Sequence, residues 1–364
     1  MILLNDSPGA FNPSRRLDGW VAETLTREWS EQEVKNAFAA MARNKSPGSD
    51  GLPKELFEAH WDLLGESFMA MAKDFEGTAA LPAEIKEAVT ILLHKKGDKE
   101  LLNNYRPITL LNFAYKVLAR VVADRMKSVL HMVISPEQYG FIPGRRLSDA
   151  VALVADIIEG AKNDKGDCYM LLVDFQKAFD SVSRDFLFQV LESMGFPEQF
   201  VGWVKGLHEG TTTKLLINGW LGEGVDVVSG VRQGCPLAPY LFLCAVEPLA
   251  LEVERKELGL EKDGHRLGYL GYADDTTLVL QGEAQIGQAE EILDRFKKAE
   301  LGEGVELYLG EAHQVAAEIP DNHSESNGGQ FLHHADPCLS GADLPAASGY
   351  LAGNHAADTQ LYLG

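Results

Sequence analysis

The sequence is poor in cysteine. Its four thiols, Cys168, Cys235, Cys244 and Cys338, show no Cys-x-x-Cys spacing in 364 residues. That argues against a zinc ribbon or a disulfide framework and points to a reducing, intracellular setting. No apolar run approaches the roughly 20 residues that a bilayer-spanning helix needs, so no membrane partner is expected. The opening Met1-Ile2-Leu3-Leu4-Asn5-Asp6 lacks a basic flank and is too short in apolar residues for a secretory leader. The expectation is a soluble intracellular protein, with nucleus and cytoplasm left undistinguished. Basic charge is also scarce, with 33 Lys and Arg against 54 Asp and Glu and a net charge of -21. Phosphate-binding surfaces leave a basic footprint, so this balance speaks against nucleic acid. The scarcity is uneven, however. Residues 300–364 hold ten acids and no Lys or Arg, which leaves residues 1–299 at a net -11. Such asymmetry marks two compositionally different segments.

What is present reads as a globular chain of two or three domains with 45% apolar residues. Residues 1–29 are punctuated by Pro8, Gly9, Pro13 and Gly19 and read as an irregular arm. Ser30-Glu31-Gln32-Glu33 is a capping box, and Val34, Ala37, Phe38 and Met41 follow at helical spacing. One helix is expected from Pro53 to Phe75, with His60 on its apolar stripe as a core or boundary histidine. Another is expected from Phe113 to Ile134, with Lys116, Arg120, Arg125 and Lys127 on its polar face. Val89–Leu93 and Cys168–Val173 have strand character. Asn218-Gly219 joins two further runs as a hairpin turn. Leu267–Gly271 and Thr276–Leu280 form a second hairpin around Tyr272-Ala273-Asp274-Asp275. The order of elements is α+β, and an antiparallel sheet with helices on one face is the simplest packing.

Three carboxylates stand out: Asp174 at a strand end, and Asp274 and Asp275 at a hairpin tip. Adjacent carboxylates in a turn repel each other, and a solvated acidic turn is the plain reading of any such pair. If the two elements are neighbours in one sheet, the three acids converge. Hard oxygen ligands suit Mg²⁺, and two such ions can support an in-line phosphoryl displacement. Bound cations would also let an acidic protein approach phosphates.

Leu172-Val173-Asp174-Phe175-Gln176-Lys177-Ala178-Phe179-Asp180, Gly230-Val231-Arg232-Gln233-Gly234-Cys235-Pro236-Leu237 and Tyr272-Ala273-Asp274-Asp275 occur in that order. Upstream lie Lys45-Ser46-Pro47-Gly48-Ser49-Asp50-Gly51-Leu52-Pro53, Asn104-Tyr105-Arg106-Pro107-Ile108 and Gln138-Tyr139-Gly140-Phe141-Ile142-Pro143-Gly144-Arg145. Each alone is a weak signal. Together they resemble the motifs of reverse transcriptases of the non-LTR (LINE-type) retrotransposon branch, related to group II intron enzymes. The resemblance covers about residues 30–299. It implies a right-hand polymerase with fingers (30–165, with a helical extension) and palm (166–299), the palm sheet antiparallel and backed by helices.

The resemblance also implies roles. Asp174, Asp274 and Asp275 would hold two Mg²⁺, or Mn²⁺ in its place, with the Phe175 backbone facing a metal. Phe179 would exclude a ribose 2′-OH and so select dNTPs, although alone it reads as a core aromatic. Gln233 and Gly234 would lie against the incoming nucleotide. Arg106 and Arg145 would hold its triphosphate, and Lys95, Arg146 and Arg232 would meet the nucleic-acid backbone. Asp180 reads as a local cap before the helix that begins at Ser183. The partners implied are an RNA or DNA template with its primer, and dNTPs.

The resemblance stops at Glu300. Residues 300–364 stand where the family has a basic thumb, and they are expected to have low order. Their five histidines are too scattered to suggest a metal site. The sequence also leaves no room for the amino-terminal endonuclease usual in such elements. Two readings remain open: an RNA-directed DNA polymerase, or a weak or inactive relic that keeps a nucleic-acid-binding palm and fingers.

Overall fold

The computed structural model describes residues 15–164, 167–175, 177–262, 265–298, 307–309 and 313–314. The helices α1 (Gly19–Leu25), α2 (Glu31–Ala40), α3 (Lys54–Ala59), α4 (Trp61–Thr78) and α5 (Ala83–Lys86) precede strands β1 (Ala88–His94) and β2 (Tyr105–Leu111). Helices α6 (Phe113–Val133) and α7 (Leu147–Asp164) lead into β3 (Cys168–Phe175). Then come α8 (Ala178–Ser181), α9 (Arg184–Ser193) and α10 (Glu198–His208), and the hairpin of β4 (Thr212–Ile217) and β5 (Trp220–Asp226). Helix α11 (Ala238–Arg255) is followed by β6 (Leu260–Lys262), β7 (His265–Leu267), β8 (Tyr269–Tyr272), β9 (Asp275–Gln281) and α12 (Glu283–Phe296). Two short strands close the described chain, β10 (Leu307–Leu309) and β11 (His313–Gln314).

Two main sheets result. The first has the order β2-β1-β4-β5 and is mixed, because β1 and β4 run parallel. Pro107 sits in β2, an edge strand of that sheet, where a missing N–H breaks no ladder between two neighbours. The second sheet is antiparallel, in the order β10-β3-β9-β8, with β11 also on β3. The expected single antiparallel sheet is therefore corrected to two main sheets beside a small β6–β7 pair, and the β4–β5 hairpin belongs to the first. Pairing β1 with β4, across more than a hundred residues, is a long-range choice that no local pattern encodes.

Helix α6 runs through the middle of the largest apolar cluster. Val117, Leu118, Val121, Val122, Met126 and Leu130 are all buried on it. So is Arg125, at 5% exposure, although the sequence put it on the polar face. Its guanidinium pairs with the Glu33 carboxylate and donates to the carbonyls of Leu25, Arg27 and Glu28. A buried cation is tolerated when every N–H is satisfied in this way.

Two further expectations change. Residues before 30 are not all irregular: α1 forms, and Leu17, Val21, Leu25 and Trp29 are buried in the core. The single helix expected from Pro53 is broken at His60, whose φ is -121°, and the break sets Trp61 edge-on to Phe38 at 5.1 Å. In residues 300–364, β10 and β11 extend the second sheet, and the rest of the low-order expectation lies outside the described residues.

Candidate active site

The second sheet brings the separate acids together. Strands β3 and β9 pair antiparallel with Val173 opposite Thr276, so Asp174 and Asp275 are the next residues in register. Asp274 is the second of the two residues that turn β8 into β9. The Asp174 carboxyl is pushed above the ordinary carboxylate range, first by desolvation and then by the Asp275 charge. Repulsion across that pair is the observation that fits a divalent cation, which would relieve it. Among the described residues no three His, Cys, Asp or Glu side chains are gathered into a metal-binding group.

The strand carrying Asp174 is anchored from below. Phe175 is buried, with its ring edge-on to Phe242 at 6.2 Å and Phe296 at 6.1 Å. Phe179 is 8% exposed and lies 4.9 Å from Phe242. On the other edge β10 pairs along β3, with Tyr308 opposite Asp174.

The loop after β3 is laced to the loop before α11. Val231 N–H donates to the Phe179 carbonyl at 2.7 Å, and Gly230 N–H donates to the Val182 carbonyl at 2.9 Å. Gly230 has φ +77°, and a Cβ there would stand 2.6 Å from the Asp180 carbonyl oxygen, so only glycine fits. Arg184, buried, donates to the carbonyls of Gly230, Ser229 and His208. Gln233 Nε2 donates to both Asp180 carboxylate oxygens, at 3.0 and 3.2 Å. Asp180 is thus no helix cap; Ser183 Oγ caps α9 itself, accepting from Phe186 N–H. Burial raises the Asp180 carboxyl above its usual range, and the Gln233 bond acts against that. Gly234 turns with φ +80° beside the Thr109 carbonyl of β2, so this loop also touches the first sheet.

The basic residues divide. Arg106 lies half-buried on β2, opposite Leu93. Lys95 and Arg146 are exposed. Arg145 has its terminal nitrogens on the carbonyls of Ile134, Ser135 and Gln138, so here it closes the chain end of α6. Arg232 is a correction. It is 4% exposed, turned away from solvent, with its guanidinium 4.9 Å from the Tyr115 ring centre. A side chain so placed does not meet a nucleic-acid backbone. Its two terminal nitrogens find no hydrogen-bond partner among the described residues. Arg232 also borders a cavity of about 50 Å³ with Thr109, Asp180, Thr213 and Gln233, which has room for ordered water.

Sequence reasoning assigned Gln138 no task. The structure places it 2% exposed against the Asp274 turn, bonded to Ala273. Its only sequence signal was membership in the Gln138–Arg145 motif.

Comparison with known proteins gives the family. Residues 93–307 match the family described as reverse transcriptase (RNA-dependent DNA polymerase). A 149 kDa protein of transposon TX1 from Xenopus laevis is 36% identical over 76% of this chain and 21% of that protein. The Pol polyprotein of the type-2 retrotransposable element R2DM from Drosophila melanogaster is 29% identical over 72% of this chain and 24% of its own length. A probable RNA-directed DNA polymerase of the Drosophila transposon BS is 26% identical over 58% of the chain and 24% of its own length. The chain thus spans a fifth to a quarter of these relatives. A family match over more than half of the residues, carried on a sheet that sets Asp174 beside Asp275, places this chain in the reverse transcriptase family, with relatives in non-LTR retrotransposons.

Proposed function

We propose that this chain is the polymerase portion of a LINE-type element and extends a primer 3′-OH with dNTPs on an RNA or DNA template. The observation that carries the reading is the β3–β9 register, which brings Asp174 and Asp275 together although 101 positions separate them in sequence. In this reading the second sheet with its helices is the palm, and the first sheet is part of the fingers.

Reverse transcriptases use divalent metal ions. Asp174, Asp274 and Asp275 would hold Mg²⁺, with Mn²⁺ as its substitute. The ions would neutralise the triphosphate and make the primer hydroxyl more acidic. The chain's own residues do the positioning. Phe179, fixed against Phe242, presents a rigid edge where a ribose 2′-OH would otherwise lie. Gln233 turns its Nε2 to Asp180, which leaves the amide oxygen as the acceptor offered to the nucleotide. Arg106, on the edge strand of the first sheet, supplies a guanidinium for the triphosphate. The exposed Lys95 and Arg146 meet template or primer backbone, and Arg145 contributes by holding the Ile134–Gln138 segment.

Primer extension on poly(rA)/oligo(dT) tests the reading. Incorporation that requires Mg²⁺ and vanishes in Asp274→Ala supports it. No incorporation by the wild-type chain, at any Mg²⁺ or Mn²⁺ level, overturns it in favour of a binding relic. Phe179→Ala is expected to admit ribonucleotides; unchanged discrimination would remove Phe179 from the role.

A further inference from the structure

We propose that Gln138 is a positioning residue that fixes the Asp274-Asp275 turn from outside its own hairpin. The proposal rests on the polymerase reading only for what the turn is used for. The contact itself is independent of that reading.

The segment after α6 lies alongside β8. Tyr139 N–H donates to the Gly271 carbonyl at 2.8 Å, and Gly271 N–H donates to the Glu137 carbonyl at 2.9 Å. Between these bonds the Gln138 side chain enters the turn. Its Oε1 accepts from Ala273 N–H at 2.9 Å and from Gly140 N–H at 3.0 Å. Its Nε2 donates to the Ala273 carbonyl at 3.3 Å and to Tyr269 Oη at 3.2 Å. One amide therefore satisfies both backbone groups of Ala273. Two N–H groups aimed at Oε1 fix which end of the amide is which.

Ala273 is the residue that needs holding. Its φ is +58°, where a Cβ is disfavoured by about 1–3 kcal/mol unless the surroundings over-determine it. Positive φ at the first of two turn residues is the pattern of a II′ turn, which ordinarily takes glycine there. Asp274 and Asp275 follow directly, so any rotation at Ala273 swings both carboxylates. The approach is close as well: a Cβ on Gly140 would stand 2.3 Å from Ala273 N. Gln138 is buried at 2%, with no route to substrate, so it acts through the turn alone.

The test compares wild type, Gln138→Met and Gln138→Met with Ala273→Gly, by steady-state kinetics and by hydrogen exchange of backbone amides. Gln138→Met keeps the length and removes all four bonds. The expected result is a fall in kcat of roughly 10- to 100-fold with KM for dNTP within about twofold, as for a misplaced reacting group. Amides of residues 272–275 should exchange faster while those of residues 212–226 do not. Ala273→Gly should recover part of kcat, because glycine accepts the turn unaided. If Gln138→Met does not fold, Gln138→Glu, which loses only the donated bonds, is measured in the same way. A kcat within twofold of wild type overturns the proposal. So does an equal rise of exchange in both hairpins, which would mean general loosening. If the wild-type chain proves inactive, the polymerase reading fails while the exchange comparison still decides whether Gln138 holds the turn.

Discussion

The β4–β5 and β8–β9 hairpins each turn through two residues, and they reach that turn by opposite routes. Between β4 and β5 the residues are Asn218 and Gly219, both with positive φ, at 52° and 83°. That is the I′ pattern, and Asn-Gly adopts it without help. The hairpin it makes is open: every residue of β5 is exposed, and Trp220 beside the turn is 81% exposed. Between β8 and β9 stand Ala273 and Asp274, and only Ala273 has positive φ. Here the local sequence opposes the turn, and Gln138 and Gly140 supply what it lacks. The strands around it are largely buried, with Leu278, Val279 and Leu280 at 0% exposure. A turn that its own residues favour needs no neighbours. A turn held by neighbours can carry residues chosen for chemistry, such as two adjacent carboxylates.

The largest break in this contrast should come from Gly140→Val. The added carbons meet the Ala273 backbone, and overpacking of this kind costs about 1–3 kcal/mol. Primer extension should drop to background, and thermal unfolding should report the stability loss. The matching change at the open turn, Gly219→Val, has free space around it but a φ of +83° that strains any side chain, so it should lower stability while leaving extension near wild type.

The next effect depends on pH. Glu247 of α11 lies fully buried under the clamped hairpin, where its carboxylate accepts from Ser135 N–H and Oγ. Burial raises its pKa from 4.5 to about 8, against the Ser135 bonds and Arg15. The folded state then holds a proton that the unfolded state releases. The stability from this group is fully present below 4.5 and is lost as pH rises through 8. His208 slopes the other way. Its pKa is lowered to about 3 by burial, so its contribution is present above 6.5 and is lost as pH falls toward 3. Urea unfolding at pH 5, 7 and 9 should show wild type losing stability relative to Glu247→Gln as pH rises. Parallel curves would show that Glu247 does not titrate in the fold.

Two smaller substitutions sharpen the same contrast. Asn218→Val puts a β-branched residue at positive φ and should lower stability by about 1–2 kcal/mol, with extension unchanged. Ala273→Gly, in the wild-type background, should raise stability by at most about 1 kcal/mol, since relieved strain is partly offset by a freer unfolded chain. A loss of stability there would show that Gln138 already removes the strain.

These positions also show what the sequence could reveal. Asn218-Gly219 and the Ser30 cap act within a few residues, and both form as read; Ser30 Oγ accepts from Glu33 N–H at 3.1 Å. That Asp174 would converge with the Asp274-Asp275 turn was legible, because acids at a strand end and at a hairpin tip meet when the two elements are neighbours in one sheet. Gln138 was not legible, because its work is done on a residue more than a hundred positions away. Arg232 was misread for a related reason. Its charge suggests a surface, but only the packing of Tyr115 and the loop before α11 decides that it turns inward. The same holds for the pairing of β1 with β4 and for the break at His60.

Arg125 carries a last consequence, for where this protein can be cut. The family match begins at residue 93, but Arg125 draws its partners from residues 25–33, and the edge-on pair of Trp29 and Trp203 lies beside its guanidinium at 5.8 and 5.6 Å. A fragment starting at the match would strand a buried cation and uncover Trp203, a loss on the order of 3–5 kcal/mol for the cation alone. The stretch matched by the family model is shorter than the stretch whose buried groups depend on one another. A protease offered the intact chain should leave residues 15–40 attached long after it has cleaved the exposed edge strand Trp220–Asp226.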